Sequence, residues 1–199
     1  MRKAAKYTIF KTKWGYFGLA GNENGLLRAC LPLGNPEKVK SLLLISSEAP
    51  QFEKRFFKKV QDQVVAYFEG ACVNFSMDIP IFLDGLSDFC GSILTACRDI
   101  KFGQTVSYLE LAKKLGRANG ASPIRNSTRT GKHQKENISN GARAVGNALS
   151  KNPLPLIIPC HRIIRSDGKI GGFSATGGIS IKAKLLKHEQ QVLTHYKSD

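Results

Sequence analysis

A Pro-Cys-His-Arg tetrapeptide at residues 159–162 carries the strongest candidate nucleophile of the sequence, between an apolar run and a glycine-rich segment. A cysteine close to cationic or proton-accepting groups has a depressed thiol pKa and reacts faster. Cys160 is therefore a candidate nucleophile and His161 its candidate base, although a cysteine taken alone is more often inert and buried. If this segment is a strand, the two side chains point to opposite faces and need a bend or a bridging water to cooperate.

A catalytic histidine also needs a group that fixes its tautomer, and Glu189 is the candidate. On a helical wheel of the segment "GISIKAKLLKHEQQVL", Glu189 falls in the middle of the apolar arc. A carboxylate facing a core is costly unless it has a partner, so Glu189 is either a buried anchor or the group that orients a histidine. Lys182 also falls near the arc and interrupts it, in a first turn that can splay. The other histidines, at positions 133, 188 and 195, are assigned structural or surface roles.

Composition restricts the partners and the class of protein. The 199 residues include 30 lysines and arginines against 15 acids, a net charge of +15 that favours binding to a polyanion such as nucleic acid. A merely basic soluble protein is the alternative. The five cysteines are odd in number and show no C-x-x-C spacing. We therefore expect no disulfide framework, no common zinc-binding cluster and a reducing intracellular location. We also predict that the protein uses no metal and no cofactor. No apolar run approaches membrane-spanning length.

The first half of the chain predicts an α/β unit. Residues 7–33 predict short strands, with Asn24-Gly25 in a tight turn that uses positive φ angles. Apolar residues at helical spacing predict a helix over 50–70 that ends at Gly70. A further strand pair is expected around 73–83, and a domain boundary near Asp84.

The second half predicts helices. Ser107 and Glu110 form a capping box that begins a helix, and Gly116 is expected to end it. A second helix, rich in glycine and alanine, is predicted from 140 to 152, and the two could form a helix-turn-helix. The basic stretch between them, at about 117–139, is interpreted as a loop insertion. It is either a solvated insertion without a role or a segment that touches phosphates.

Several blocks of the second half together resemble one protein family. "FGQTVSYLELA", "ARAVGNAL", "NPLPLIIPCHR" with "DGKIGGF", and "LLKHE" occur in this order. They are similar to the O6-alkylguanine-DNA alkyltransferases. The resemblance implies an N-terminal ribonuclease-H-like α/β domain at residues 1–84. A mostly helical domain with a helix-turn-helix follows at 85–199 and binds DNA and accepts the alkyl group. The family's zinc ligands, present only in some members, have no match here.

The resemblance implies a single-turnover DNA repair reaction. A methyl or larger alkyl group would pass from O6 of guanine in duplex DNA to Cys160, with His161 as base acting through a water and Glu189 orienting His161. Asn152 would brace the turn, and Tyr108 would contact the flipped base. The range of alkyl groups and the repair of O4-alkylthymine stay open.

The resemblance also implies how DNA is held. Arg143 would fill the stack that the flipped base vacates, and a slim helix would enter the minor groove. Further DNA-binding positions are Ser107, Ala142 and Gly146, and further pocket positions are Pro155, Arg162, Phe173 and Ser174.

The expected partner is therefore double-stranded DNA that bears O6-alkylguanine, bound by a monomer without a membrane. The expected location is the cytoplasm, with the nucleoid, or the nucleus in a eukaryote. Two alternatives remain at this stage. One is an alkyltransferase-like protein that recognises lesions without repairing them, although such relatives replace the cysteine that is present here. The other is a helix-turn-helix regulator in which Cys160 is structural.

Overall fold

The computed structural model describes residues 5–45, 50–75, 77–118 and 132–196. Within this part of the chain the fold is mixed, with six α-helices, a four-stranded sheet and a two-stranded sheet. The expected combination of α and β structure is confirmed at this level. The ribonuclease-H-like and helix-turn-helix descriptions and the boundary near Asp84 stay predictions.

The N-terminal sheet is an antiparallel meander with one added strand. Strands β1 (Lys6–Thr12), β2 (Gly15–Asn22) and β3 (Gly25–Leu33) follow one another, and the two-residue β4 (Gln51–Phe52) pairs parallel to β1, so the order is β3-β2-β1-β4. The predicted hairpin is present, but the expected positive φ angles are wrong, since neither Asn24 nor Gly25 has one. Gly25 is instead needed for close packing, because a Cβ there would lie 2.9 Å from the Pro80 carbonyl oxygen.

Two helices pack beside this sheet. Helix α1 (Pro36–Leu43) begins at Asn35, whose side chain accepts hydrogen bonds from two backbone amides of the first turn. Helix α2 (Lys58–Glu69) ends at Gly70, whose φ of 107° is easy only for glycine, as predicted. The predicted start at residue 50 is wrong, because Phe52 lies in a strand, where backbone pairing with β1 prevails over helical periodicity.

The strand pair expected around 73–83 is also wrong for the residues described there. This segment instead pairs with the outer edge of β3, through a single β-bridge between Leu26 and Ile81. The Leu26 amide donates to the Pro80 carbonyl, and the Phe82 amide donates to the Leu26 carbonyl. The segment thus pairs with an existing strand and does not form a hairpin of its own.

The second half supplies four helices and the small sheet. They are α3 (Asp88–Arg98), β5 (Val106–Ser107), α4 (Tyr108–Ala118), α5 (Lys132–Leu149), β6 (Ile163–Ile164) and α6 (Gly178–Tyr196). The capping box is confirmed: the Ser107 amide donates to Glu110 Oε2 at 2.7 Å, and the Glu110 amide donates to Ser107 Oγ at 3.1 Å. It places Tyr108 at the beginning of α4.

The loop predicted at 117–139 is wrong at both ends. Helix α4 continues past Gly116 to Ala118, and α5 begins at Lys132 rather than near residue 140. Residues 132–139 contain no proline and several good helix formers, so the helix extends into a polar stretch that lacks an apolar pattern. Residues 119–131 lie outside the described part of the chain.

One hydrophobic core runs through both halves. Phe17 of β2 and Phe68 of α2 belong to the same buried cluster as Leu154 and Leu185 from the second half. The outer edge of β3 also meets the second half directly, since the Ala29 amide donates to the Pro153 carbonyl oxygen at 2.9 Å. The first half therefore supports the segment that leads to Cys160. None of the described helices has the length and apolar character needed to cross a membrane.

Candidate functional site

The segment that leads to Cys160 is a braced turn. Asn152 holds it, because its Nδ2 donates to the Ile158 carbonyl at 2.9 Å and to Cys160 Sγ at 3.0 Å, and its Oδ1 accepts from the Leu154 amide at 2.9 Å. Leu156 adopts a φ of 77°, a left-handed conformation that is unfavourable for a leucine and that the surrounding contacts must stabilise. The turn therefore holds the Cys160 side chain in a fixed position.

The strand expected at the Cys-His step is wrong. Residues Cys160–Arg162 form one turn of 3-10 helix, and β6 begins only after it. Successive side chains of a 3-10 helix lie about 120° apart, so Cys160 and His161 are not forced to opposite faces as they would be on a strand. All three side chains are buried.

Cys160 is held as a thiol. Only 6% of it is exposed. Burial raises the pKa of Cys160 to about 11, and the Asn152 hydrogen bond and the Lys182 charge oppose this rise. The depressed pKa that the sequence predicts is therefore wrong, because loss of hydration outweighs the neighbouring positive charge. The nucleophile needs a base to become a thiolate.

His161 has the geometry of that base. Its Nε2 lies 2.8 Å from Glu189 Oε1, and both side chains are at most 1% exposed. Burial lowers the pKa of His161 against the opposing pull of Glu189, which favours a neutral ring. Burial alone would raise the pKa of Glu189, but hydrogen bonds and charges of His161 and Arg162 bring it down to about 2. An ionised Glu189 accepts the Nε2 proton, so Nδ1 carries the lone pair. In the described part of the chain Nδ1 has no hydrogen-bond partner.

We call Glu189 and its side-chain donors His161, Arg162 and Tyr67 the Glu189 cluster. Arg162 Nε donates to both carboxylate oxygens at 3.1 Å, and its Nη2 donates to Oε1 at 2.9 Å. The Tyr67 hydroxyl donates to Oε1 at 2.9 Å, and the Gly103 amide donates to Oε2 at 2.8 Å. This network satisfies the carboxylate on every side and fixes the His161 ring.

Two members of this cluster differ from the sequence interpretation. Arg162, expected in the substrate pocket, is 2% exposed and directs its side chain to Glu189 and to the Ile100 carbonyl at 2.7 Å. Sequence reasoning missed Tyr67, which α2 contributes from the first half. Its only signal is a tyrosine within an apolar helical stripe.

A second buried cation lies close enough to Cys160 to influence its pKa. Lys182, with 0% exposure, donates to the Gly172 carbonyl at 3.1 Å, to the Tyr108 hydroxyl at 3.4 Å and to the Ile163 carbonyl. We call Lys182, Tyr108 and these two carbonyls the Lys182 cluster. Burial lowers the pKa of Lys182 to about 8, partly offset by Cys160. The interpretation of Lys182 as a splayed first-turn residue is wrong. The available signal was its place on the apolar arc.

Tyr108 is positioned by three separate segments. The capping box sets it at the beginning of α4, and its hydroxyl donates to the Gly172 carbonyl at 3.3 Å. The glycine-rich loop packs so closely that a Cβ on Gly171, where φ is 75°, would lie 3.0 Å from the Tyr108 ring. A Cβ on Gly146 of α5 would lie 3.8 Å from the same ring. Burial raises the pKa of Tyr108, so its hydroxyl stays protonated at neutral pH.

The remaining predicted residues belong to α5, to β5 and to the segments that flank the groove described below. In α5, Arg143 is exposed while Ala142 and Gly146 are half-buried, and Ser107, the last residue of β5, is buried. Pro155 and the exposed Ser174 line one groove with a volume of about 230 Å³, and Asn152 lines it too. Phe173 packs partly buried against the core.

The described residues contain no group of three or more His, Cys, Asp or Glu side chains that could hold a metal ion. The cysteines at positions 30, 72, 90, 97 and 160 are all free thiols.

The sequence is similar to a known protein family and to curated proteins that share one name. Residues 88–191 match the model of the 6-O-methylguanine DNA methyltransferase DNA binding domain. The methylated-DNA--protein-cysteine methyltransferase of Methanosarcina barkeri is 34% identical over 188 residues, 94% of this chain and 98% of that protein. The protein of the same name from Methanocaldococcus vulcanius is 33% identical, over 88% of this chain and 91% of its own.

Solved structures agree. Mycobacterium tuberculosis OGT in complex with DNA is 27% identical with a TM-score of 0.67, covering 94% of each chain. The O6-methylguanine methyltransferase structure from the same organism is 28% identical, with a TM-score of 0.64, over 96% of this chain and 98% of that one. The resemblance seen in the sequence is confirmed: this chain belongs to the O6-alkylguanine-DNA alkyltransferase family, the methylated-DNA--protein-cysteine methyltransferases.

Proposed function

We propose that this protein repairs duplex DNA by moving a methyl or larger alkyl group from O6 of guanine onto Cys160, once per molecule. One observation carries the proposal. A buried thiol directly precedes a neutral histidine whose Nε2 is bound to an ionised carboxylate, so its Nδ1 is the basic atom. This is the arrangement that turns a thiol into a nucleophile.

The reaction begins with a proton. Cys160 gives its proton through one water to Nδ1 of His161, and Glu189 stabilises the imidazolium that forms. Sγ then attacks the alkyl carbon in line, an S–C bond forms, and the C–O6 bond breaks. Guanine takes up one proton in place of the alkyl group. The thioether is stable, so the protein is consumed in the reaction.

Guanine leaves more easily when a donor meets its developing negative charge. The Tyr108 hydroxyl is the donor we assign, and Lys182 supports it from the side at 3.4 Å. Asn152 holds the sulfur in line, since its amide touches Sγ at 3.0 Å. The two clusters thus act on opposite ends of the bond that breaks.

DNA approaches along α5. Its exposed Arg143 enters the base stack in place of the flipped guanine, and the small side chains of Ala142 and Gly146 let the helix lie in the minor groove. The net charge of +15 supports binding to the phosphates. We expect the protein to act as a monomer wherever the DNA lies, in the cytoplasm or in a nucleus.

Intact mass measurement tests the proposal. After incubation with duplex DNA that carries one O6-methylguanine, the protein should gain one methyl group, located on Cys160. Cys160→Ser should gain none, whereas Cys72→Ser, which changes an exposed cysteine, should react like the wild type. Binding of the lesion with unchanged mass would contradict the transfer and leave a lesion-recognition protein.

The flipping role of Arg143 has a separate test. Arg143→Ala should slow methyl transfer from duplex DNA by about 10-fold or more, because unstacking the base costs a few kcal/mol. Reaction with free O6-benzylguanine needs no flipping and should keep its rate. An equal loss with both substrates would show that Arg143 acts on the site itself.

A further inference from the structure

A groove lies between the outer edge of β3 and the turn that carries Cys160. It is bounded by strand residues from the first half, by the turn, and by the loop that precedes α6. The volume of about 230 Å³ is greater than the roughly 150 Å³ that suffices to hold a benzene molecule. A methyl group would leave most of it unfilled. Its described lining residues are Arg28, Ala29, Cys30, Leu31, Leu42, Ser150, Asn152, Pro153, Pro155, Ser174, Ala175 and Thr176.

The groove is close to the alkyl acceptor. Asn152 forms part of its wall, and the amide of the same side chain donates to Cys160 Sγ at 3.0 Å. The strand wall is fixed relative to the turn, because the Ala29 amide donates to the Pro153 carbonyl at 2.9 Å. Asn152 therefore links the groove wall to the acceptor sulfur, and the strand side of the groove is held at a fixed place relative to that residue.

Arg28 gives this groove its charge. Among the described residues that line it, Arg28 is the only charged one, and the three hydroxyl side chains are Ser150, Ser174 and Thr176. Arg28 is half-exposed, and no ion pair or hydrogen bond joins its guanidinium to another described residue. A guanidinium that meets no acceptor and no carboxylate among the described residues, and that lies next to hydroxyls, is suited to bind an anionic oxygen group.

We propose that Arg28 makes this groove select O6 substituents with an anionic end, such as a carboxymethyl group, over neutral groups of similar size. The inference rests on the proposed function, since the substituent must be one that Cys160 accepts. The transfer is the same reaction: the S–C bond forms to the methylene carbon, the C–O6 bond breaks, and the carboxylate travels unchanged to the protein. Guanine is released with one added proton, the equivalent of the one lost by the thiol.

The test uses the full chain and three duplexes that differ only in the lesion: O6-methylguanine, O6-carboxymethylguanine and the neutral O6-propylguanine. Single-turnover rates are read from the intact mass. The wild type should react with the carboxymethyl duplex about 10-fold faster than with the propyl duplex, the gain expected from a hydrogen bond to a charged group. Arg28→Gln should bring the two rates within about twofold of each other, and Arg28→Glu should reverse the preference.

Two controls separate this effect from general charge. Arg55→Gln removes the same charge from an exposed position away from the groove and should keep the wild-type ratio. Methyl transfer by Arg28→Gln should stay within about twofold of the wild type, which also reports correct folding.

Several results would overturn the inference. One is that the wild type reacts at equal rates with the carboxymethyl and propyl duplexes. If it still transferred methyl groups normally, the proposed function would stand and only this inference would fail. If Arg28→Gln slowed all three duplexes by one factor, Arg28 would contact the DNA phosphates and not the adduct. Absence of methyl transfer by the wild type would remove the proposed function and this inference with it.

Discussion

The Glu189 cluster and the Lys182 cluster both bury a cation beside Cys160, yet they hold protons in opposite ways. In the first, an ionised carboxylate faces Arg162 and a neutral histidine, and the pKa of Glu189 falls to about 2. In the second, the acceptors of the ammonium among the described residues are all neutral oxygens, and burial lowers the pKa of Lys182 to about 8. A paired charge is held firmly, whereas a charge that has only dipoles around it is close to losing its proton at neutral pH.

This difference fits the reaction. The thiol must lose a proton and the departing guanine must gain one. His161, fixed by a carboxylate that stays ionised, has one basic atom available to receive the thiol proton. Tyr108, hydrogen-bonded to a cation without a carboxylate, has its hydroxyl polarised for donation. A rigid proton acceptor and a protonated hydroxyl next to the weakly held proton of Lys182 thus both lie near one sulfur atom.

Among the substitutions that test the difference between the two clusters, Glu189→Gln should have the largest effect on stability and on methyl transfer. The amide has no negative charge, and its NH2 group replaces one acceptor oxygen, so it faces a donor on Arg162 or on the Gly103 amide. Arg162 is then left as a buried charge without this counterion. We expect the free energy of unfolding to fall by about 3 kcal/mol, and methyl transfer to be lost with it. Urea unfolding at pH 7 measures the first effect and intact mass the second.

The matched control is Glu53→Gln, because Glu53 forms an ion pair of 2.8 Å with Lys6 at the surface. That pair should contribute less than about 1 kcal/mol. Glu189 has a pKa below its unfolded value, so its stabilisation is present above pH about 4.5 and is lost as the pH falls toward 2. The gap between wild type and Glu189→Gln should therefore narrow in acid. If Glu189→Gln lost no more unfolding free energy than Glu53→Gln, Glu189 would not be held more firmly than a surface carboxylate, and the two clusters would not differ as described.

Sequence reasoning found the Glu189–His161 pair and missed the role of Lys182 for a physical reason. Glu189 was predicted because a carboxylate on an apolar arc requires a partner, and a histidine was its candidate partner in the sequence. Lys182 lies on the same arc, but two of its three acceptors are backbone carbonyls, of Ile163 and Gly172. Every residue type has a carbonyl, so the sequence carries no mark of these partners.

The fold shows the same limit. The capping box of Ser107 and Glu110 was predictable, because both partners are side chains three residues apart. The 3-10 turn at Cys160 and the left-handed Leu156 were not, because the surroundings impose both against local preference. Tyr67 reaches Glu189 across 122 positions of sequence, a contact that only the folded chain defines.

The Lys182→Met variant tests whether Lys182 holds its proton weakly, through the pH dependence of the unfolding free energy. The pKa of Lys182 is about 8 in the folded protein and near its ordinary 10.5 in the unfolded chain. Between these values the unfolded chain binds more protons, so this group makes the wild type more stable as the pH rises. Relative to Lys182→Met, the wild type should gain about 1 kcal/mol per pH unit above pH 8. The raised pKa of Cys160 acts in the opposite direction, and loss of the Lys182 charge raises it further. Because the folded thiol keeps its proton up to pH 9 in both proteins, Cys160 contributes little to the difference between them in this range.

Measurement of the unfolding free energy at pH 7, 8 and 9 for both proteins gives this difference directly. Methionine fills a similar volume, so the variant should fold, while its lack of a donor to Tyr108 should slow methyl transfer. A difference that does not change with pH would mean that Lys182 keeps its proton as firmly as Arg162 does. In that case the two clusters would not differ in the way we describe.

Ser107→Ala should have the smallest effect on stability. It tests whether the position of Tyr108, and not the general stability of the fold, controls the rate of methyl transfer. Loss of the cap should cost about 1 kcal/mol in urea unfolding, and Tyr108, the first residue of α4, should lose its fixed position. Ser87→Ala removes a similar cap from α3, where Ser87 Oγ accepts from the Cys90 amide at 3.4 Å. We expect both variants to lose comparable stability, but only Ser107→Ala to slow methyl transfer. Equal slowing in both would show that general loosening of the fold limits the rate, and that the Lys182 cluster does not depend on the cap that sets Tyr108.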